Sequence, residues 1–183
     1  MSLRSKIIHF WENSICEGVN RKALKRILRA NRLWHSQNRF LQFIAMMIHN
    51  SNVKKYGCEI YPQATIGEGL YIPHAVGIVV GSTTVLGKNC TLYPNVVFGA
   101  KCAPNAPKPK GRRHAIVGDN CVFGANSSII GNITIGDNVI VGAGAVITQD
   151  IPSNSVVVGV NQIVKKLPPL EGAPQEPSPR SCD

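Results

Sequence analysis

Of the five histidines in this 183-residue chain, only His74 and His114 lie beyond the first 57 residues. A neutral imidazole can take a proton from a hydroxyl near pH 7, and a positioned general base contributes roughly 100- to 10,000-fold to a rate. Glu59 stands fifteen residues before His74. Its carboxylate can accept from the second ring nitrogen, fixing the tautomer and stabilising the imidazolium, as the acid of a Ser-His-Asp triad does. His114 follows two guanidinium groups, Arg112 and Arg113. Each of these residues also has a plainer reading: His74 as a hydrogen-bonded corner, His114 as a solvated loop residue, Glu59 as an edge carboxylate.

The elements that position these groups are legible from a change of period. From Ile60 onward, apolar anchors recur every six residues: Ile60, Ile66, Ile72 and Ile78. After a two-residue shift come Val80, Leu86, Leu92 and Phe98, and after an interruption Val117, Phe123, Ile129, Ile135, Val141 and Ile147. Glycine follows the anchor at 67, 81, 87, 99, 118, 124, 136 and 142. Two residues before the anchors stand mostly small or β-branched residues: Cys58, Ala64, Thr84, Cys90, Val96, Cys121, Ser127, Val139 and Ala145. A helix repeats at 3.6 residues and an ordinary strand at two, so neither explains this spacing. A solenoid does, with three six-residue units closing one triangular coil and coils stacking roughly 4.8 Å apart. The anchor then points into the prism, and the small residue fits where two walls converge.

Three other segments interrupt or flank the ladder. Residues 1–57 read as helical, with Ile7, Phe10 and Trp11 and then Leu24, Ile27, Leu28 and Trp34 at helical spacing. Arg21, Lys22, Lys25, Arg26, Arg29 and Arg32 line the opposite face. This segment holds eleven Lys/Arg against two acids, a net +9 of the chain's +10. Residues 99–116 carry three prolines, two glycines and five basic residues and read as an extruded loop. The tail 167–183 is Pro-rich and reads as disordered. The six cysteines show no C-x-x-C spacing and read as reduced thiols of a cytoplasmic protein. The apolar run Phe40 to Ile48 is too short for a bilayer, which needs about 20 residues.

The stretch EIYPQATIGEGLYIPHAVGIVVG at 59–81 resembles the active-site coil of bacterial serine O-acetyltransferases and their relatives that acetylate envelope sugars. The resemblance continues through GRRHAIVGDNCVFGANSSIIGNITIGDNVIVGAGAVITQDIP to Pro152. It implies a mainly β fold: a left-handed parallel β-helix over 58–166, after a short helical segment, assembling as homotrimers with sites between subunits. It also implies acetyl-CoA as co-substrate and no metal. His74 matches the family's base and Glu59 the acid that orients it, while Arg113 and His114 match the acceptor-site pair. Gly124, Ala125, Gly142 and Ala143 match the groove for the pantetheine arm. Lys165 and Lys166, just past the last coil, are placed to pair with the phosphates of coenzyme A.

Pro73 departs from the family pattern, because serine O-acetyltransferases carry an Asp before the base, and their helical domain is usually longer. The expectation is therefore an O-acetyltransferase acting on a glycan hydroxyl, with serine acetyl transfer as the alternative. Basic, Trp-bearing helices fit either packing on the solenoid or peripheral contact with the inner membrane face. Two rivals fare worse. A γ-class carbonic anhydrase needs three metal-binding histidines where the repeat has two. A scaffold that binds nucleic acid needs exposed aromatics among its charges, and none is expected here.

Overall fold

The computed structural model describes residues 20–101 and 111–166. The stripe Ile7, Phe10 and Trp11, most of the extruded loop and the tail 167–183 lie outside the described residues. Each six-residue unit becomes a strand of only two to three residues plus a corner, and the strands stack into three walls. The first wall holds β1 (Glu59–Ile60), β3 (Val79–Val80), β6 (Val97–Gly99), β9 (Ser128–Ile130) and β12 (Val146–Ile147). The second holds β2 (Thr65–Ile66), β4 (Val85–Leu86), β7 (Ile116–Val117) and β10 (Thr134–Ile135). The third holds β5 (Thr91–Leu92), β8 (Val122–Phe123), β11 (Ile140–Val141), β13 (Ser155–Val158) and β14 (Gln162–Lys166). All pairings are parallel except that β14 folds back antiparallel on β13.

Register explains the period of six. Ile60 pairs with Val80, Val80 with Phe98, Phe98 with Ile129, and Ile129 with Ile147, so one anchor stands on the next up the first wall. All five are buried, and Phe98 meets Phe123 of the third wall edge-on at 4.9 Å. The expected small inward residues, Cys58 to Ala145, are buried as well. Ile78 corrects the sequence reading. It does not continue the ladder of Ile60, Ile66 and Ile72; Val80 does, and Ile78 fills the inward position two residues earlier. Eight residues rather than six therefore separate anchors Ile72 and Val80, and the two extra residues swell the corner that carries His74.

Glycines after the anchors answer to close stacking. A Cβ on Gly87 would lie 2.4 Å from the Gly118 carbonyl oxygen of the next coil, so no side chain fits. Asparagines take the left-handed corners, among them Asn89, Asn95, Asn120 and Asn126. They also bond from coil to coil, Asn89 to Asn120 at 3.2 Å and Asn95 to Asn126 at 3.0 Å.

Two helices pack on the first coil: α1 over 20–34 and α2 (Arg39–Tyr56). Asn38 caps the start of α2 with its side chain, and Gly57 ends it in the left-handed conformation. Ala23 and Ile27 of α1 enter the solenoid core. Asn31 donates to the Pro62 and Ala64 carbonyls at 3.1 and 2.6 Å, and the ring of buried His49 meets the Ile60 carbonyl at 3.1 Å. The basic face expected of α1 is exposed at Arg21, Lys22, Lys25, Arg29 and Arg32, while Arg26 turns inward to Asn52 and Ser51. Phe40, Phe43 and Met47 of α2 are exposed too. Among the described residues no helix is long and apolar enough to cross a membrane.

Cys58, Cys90 and Cys121 are free and buried, and burial pushes the Cys58 thiol up to about 12, which leaves it without a reactive thiolate near neutral pH. The Ser127 hydroxyl occupies the same kind of inward position with no hydrogen-bond partner among the described residues. An unsatisfied buried hydroxyl costs stability, so Ser127→Ala is expected to gain about 1 kcal/mol in urea unfolding. A loss of stability in that variant would mean that the hydroxyl has a partner in solution.

Candidate active site

His74 is exposed at the swollen corner between the third and first walls. The sequence gives no hint of how firmly that corner is pinned. The Asn20 side chain, from the start of α1, donates to the Pro73 carbonyl and accepts from the Ala75 N–H at 3.1 Å, gripping the backbone on both sides of His74. The His74 carbonyl accepts from Val76 N–H at 2.9 Å, Gly77 N–H donates to the Gly57 carbonyl, and Asn95 N–H donates to the Val76 carbonyl. The backbone is thus held from α1, from the first coil and from the second, while the imidazole stands free to meet a ligand. A cavity of about 270 Å³ lies between α1 and the residues just before His74, lined by Asn20, Arg21, Tyr71 and Pro73.

Glu59 is half-buried on β1. Its carboxylate accepts from the Tyr61 hydroxyl, and that bond, together with the carboxylate's charge and burial, raises the Tyr61 pKa above its ordinary value. Among the described residues no hydrogen bond joins Glu59 to His74. The backbone of Glu59 pairs with Val79, five residues past His74, and Gly77 N–H donates to the Gly57 carbonyl on the same side of the coil.

His114 ends the extruded loop at the corner between the first and second walls and is buried, with 6% exposure. Its Nδ1 lies 2.7 Å from Thr83 Oγ1, in the corner of the coil before it. Burial, and secondarily the Arg113 charge, depress its pKa, so the ring is neutral at pH 7. The ring fills the space above Gly81, where a Cβ would be 2.0 Å from Nε2. Gly81 is therefore more than the repeat glycine its spacing suggests. Arg113 anchors the turn through its N–H, which donates to Thr83 Oγ1 at 2.9 Å.

The expected donor residues gather on the edge that carries His74. Gly124 and Ala125 follow β8, and Gly142 and Ala143 follow β11, each turning from the third wall to the first. A ladder climbs this edge from the His74 corner: Asn95 N–H to the Val76 carbonyl, Asn126 N–H to the Pro94 carbonyl, and Gly144 N–H to the Ala125 carbonyl at 2.8 Å. A Cβ on Gly124 would approach Ala143 N to 2.5 Å, so stacking alone already demands that glycine. Lys165 and Lys166 lie on β14, with side chains outside the described residues. Among the described residues no three His, Cys, Asp or Glu side chains cluster as a metal site would.

Walls of stacked six-residue units define a hexapeptide-repeat protein, and the hexapeptide repeat of succinyl-transferase matches residues 114–149. The chain is 38% identical over 127 residues to the serine acetyltransferase of Synechococcus elongatus, a match covering 69% of this chain and 50% of that relative. The Neisseria gonorrhoeae serine acetyltransferase, solved in complex with serine, superposes with a TM-score of 0.66 at 36% identity, over 75% of this chain and 53% of that one. The Brucella abortus serine acetyltransferase, solved in complex with coenzyme A, gives 0.71 at 28% identity, over 80% and 56%. The chain spans about half the length of the relatives it matches. In sequence and fold the chain is similar to the serine O-acetyltransferase branch of hexapeptide-repeat proteins, and its architecture is their left-handed parallel β-helix.

Replacing Gly81 with Ala is expected to drive the His114 ring from its seat and to cost roughly 1–3 kcal/mol in chemical denaturation, the usual penalty for overpacking a rigid site. An unchanged midpoint would show that the ring has room to move.

Proposed function

We propose that this chain is an acetyl-CoA-dependent O-acetyltransferase in which His74 is the general base. The observation that carries the reading is the pinned, exposed imidazole at the head of an edge whose later corners are glycine and alanine. An acceptor hydroxyl beside His74 gives its proton to the ring while its oxygen attacks the thioester carbonyl. The imidazolium then returns that proton to the departing thiolate, so charge and atoms balance. Backbone amides at Ala125 and Ala143, with no bulky side chains around them, suit the narrow pantetheine arm.

Free serine is the acceptor that the relatives favour over an envelope or capsular sugar, since those matched are serine acetyltransferases and one was solved with serine bound. Pro73, in place of the family's Asp, removes one contact to an amino acid and is the feature that keeps a sugar hydroxyl in the comparison. The two halves of the site stand on different edges of one chain: His74 and the small-residue groove on one, Arg113 and His114 on the next. A homotrimer supports a complete site, because one subunit's first edge would face a neighbour's second. The exposed basic face of α1, with Phe40, Phe43 and Met47, suits peripheral contact with an anionic membrane from the cytoplasmic side.

His74→Ala is expected to lower acetyl transfer at least about 100-fold, in line with loss of a general base, while coenzyme A binding and the unfolding midpoint are retained. Activity above about a tenth of wild type would exclude His74 as the base. The same thiol-release assay, run with serine beside a panel of sugars and nucleotide sugars, decides the acceptor. Turnover confined to sugars would overturn serine.

A further inference from the structure

The hydrogen bonds around His114 determine which of its nitrogens carries the proton. A threonine hydroxyl has one proton to give and two lone pairs. Both lone pairs of Thr83 Oγ1 are taken, by the backbone N–H of Arg113 at 2.9 Å and that of His114 at 3.2 Å. Its proton is left to point at His114 Nδ1, 2.7 Å away. The Thr83 backbone N–H also approaches Nδ1, at 3.4 Å. Two donors converging on Nδ1 leave no place there for a proton, so the neutral ring carries its proton on Nε2. That N–H has no acceptor among the described residues and lies over the bare Cα of Gly81, and the residue as a whole keeps 6% exposure.

We propose that Thr83 is a positioning residue that locks His114 in the Nε2–H tautomer, so that this imidazole meets the ligand as a hydrogen-bond donor and not as a second base. The partner it suits is an oxygen with a free lone pair on the acceptor substrate, a carboxylate or carbonyl. The two histidines then divide the work, His74 taking a proton and His114 presenting one it does not release. This rests on the acetyl-transfer reading for the identity of the ligand, but the tautomer itself does not.

The test begins with full-length protein carrying ¹⁵N-histidine, using His114→Asn to assign the signals. At neutral pH the wild-type long-range ¹H–¹⁵N spectrum is expected to show an unprotonated, hydrogen-bonded Nδ1 and a protonated Nε2 for His114. A protonated Nδ1, or a signal averaged between tautomers, would overturn the proposal. Thr83→Val, which lacks the hydroxyl proton, is expected to broaden or average that signal and to raise the acceptor KM about tenfold, with kcat and the acetyl-CoA KM changed far less. Thr83→Ser should restore both spectrum and KM; equal KM values in Thr83→Val and wild type would remove Thr83 from the role. Should Thr83→Val not fold, the wild-type spectrum and Thr83→Ser decide the matter. A wild type with the expected spectrum but no transfer to any acceptor would uphold the tautomer and sink the acetyltransferase reading.

Discussion

Everything in this molecule depends on strands too short to exist alone. A two-residue strand satisfies its backbone groups only through the coils above and below it, so the hydrogen bonds of one coil are conditional on the register of the next. A shift by one residue would turn anchors outward along a whole wall. The chain can therefore vary only at corners, where added residues leave and re-enter without disturbing the pairs on either side. Residues are added between Ile72 and Val80 and between Phe98 and Val117, and each addition carries one of the two solenoid histidines. The regular part of the sequence builds the prism, and the irregular part holds the residues proposed for the chemistry.

The two imidazoles differ because their corners differ. His74 protrudes from a backbone fixed at Asn20, Gly57 and Asn95, which makes its position precise without burying its ring. His114 lies in a seat made by a missing side chain at Gly81 and a saturated hydroxyl at Thr83, and burial beside Arg113 keeps it neutral. On the proposed reading, one ring serves proton transfer and the other hydrogen bonding, although they are the same residue type. Two groups separated in this way do not compete for one proton, the usual failing of adjacent titrating pairs.

Periodicity reports environments that recur, and so the anchors and the small inward residues were legible from the sequence, while Gly99 and Ile116, read as the ends of a loop, belong to β6 and β7. The register of Ile78 was not legible, because an isoleucine satisfies both a six-residue count from Ile72 and the inward position before Val80; only the pairing of Ile60 with Val80 separates the two. Asn20 and Thr83 were missed for a different reason. Their partners lie 55 and 31 residues away, and each contact occurs once, so no pattern in the chain marks it. Glu59 was legible as a candidate from its spacing to His74, but spacing does not disclose that its carboxylate accepts from Tyr61.

That last pairing bears on how the base would work. A carboxylate has about four lone-pair sites, so accepting from Tyr61 leaves Glu59 able to accept from an imidazole as well. The Tyr61 hydroxyl would then hold the carboxylate in place beside an imidazolium. In the described chain no hydrogen bond joins the two, and the His74 ring is exposed at its corner. A ligand or an adjoining subunit filling that corner would limit the ring to fewer rotamers. The remaining constraint on the base would thus be supplied by whatever occupies the edge, which fits a site whose second half, Arg113 and His114, stands across the wall and not beside it.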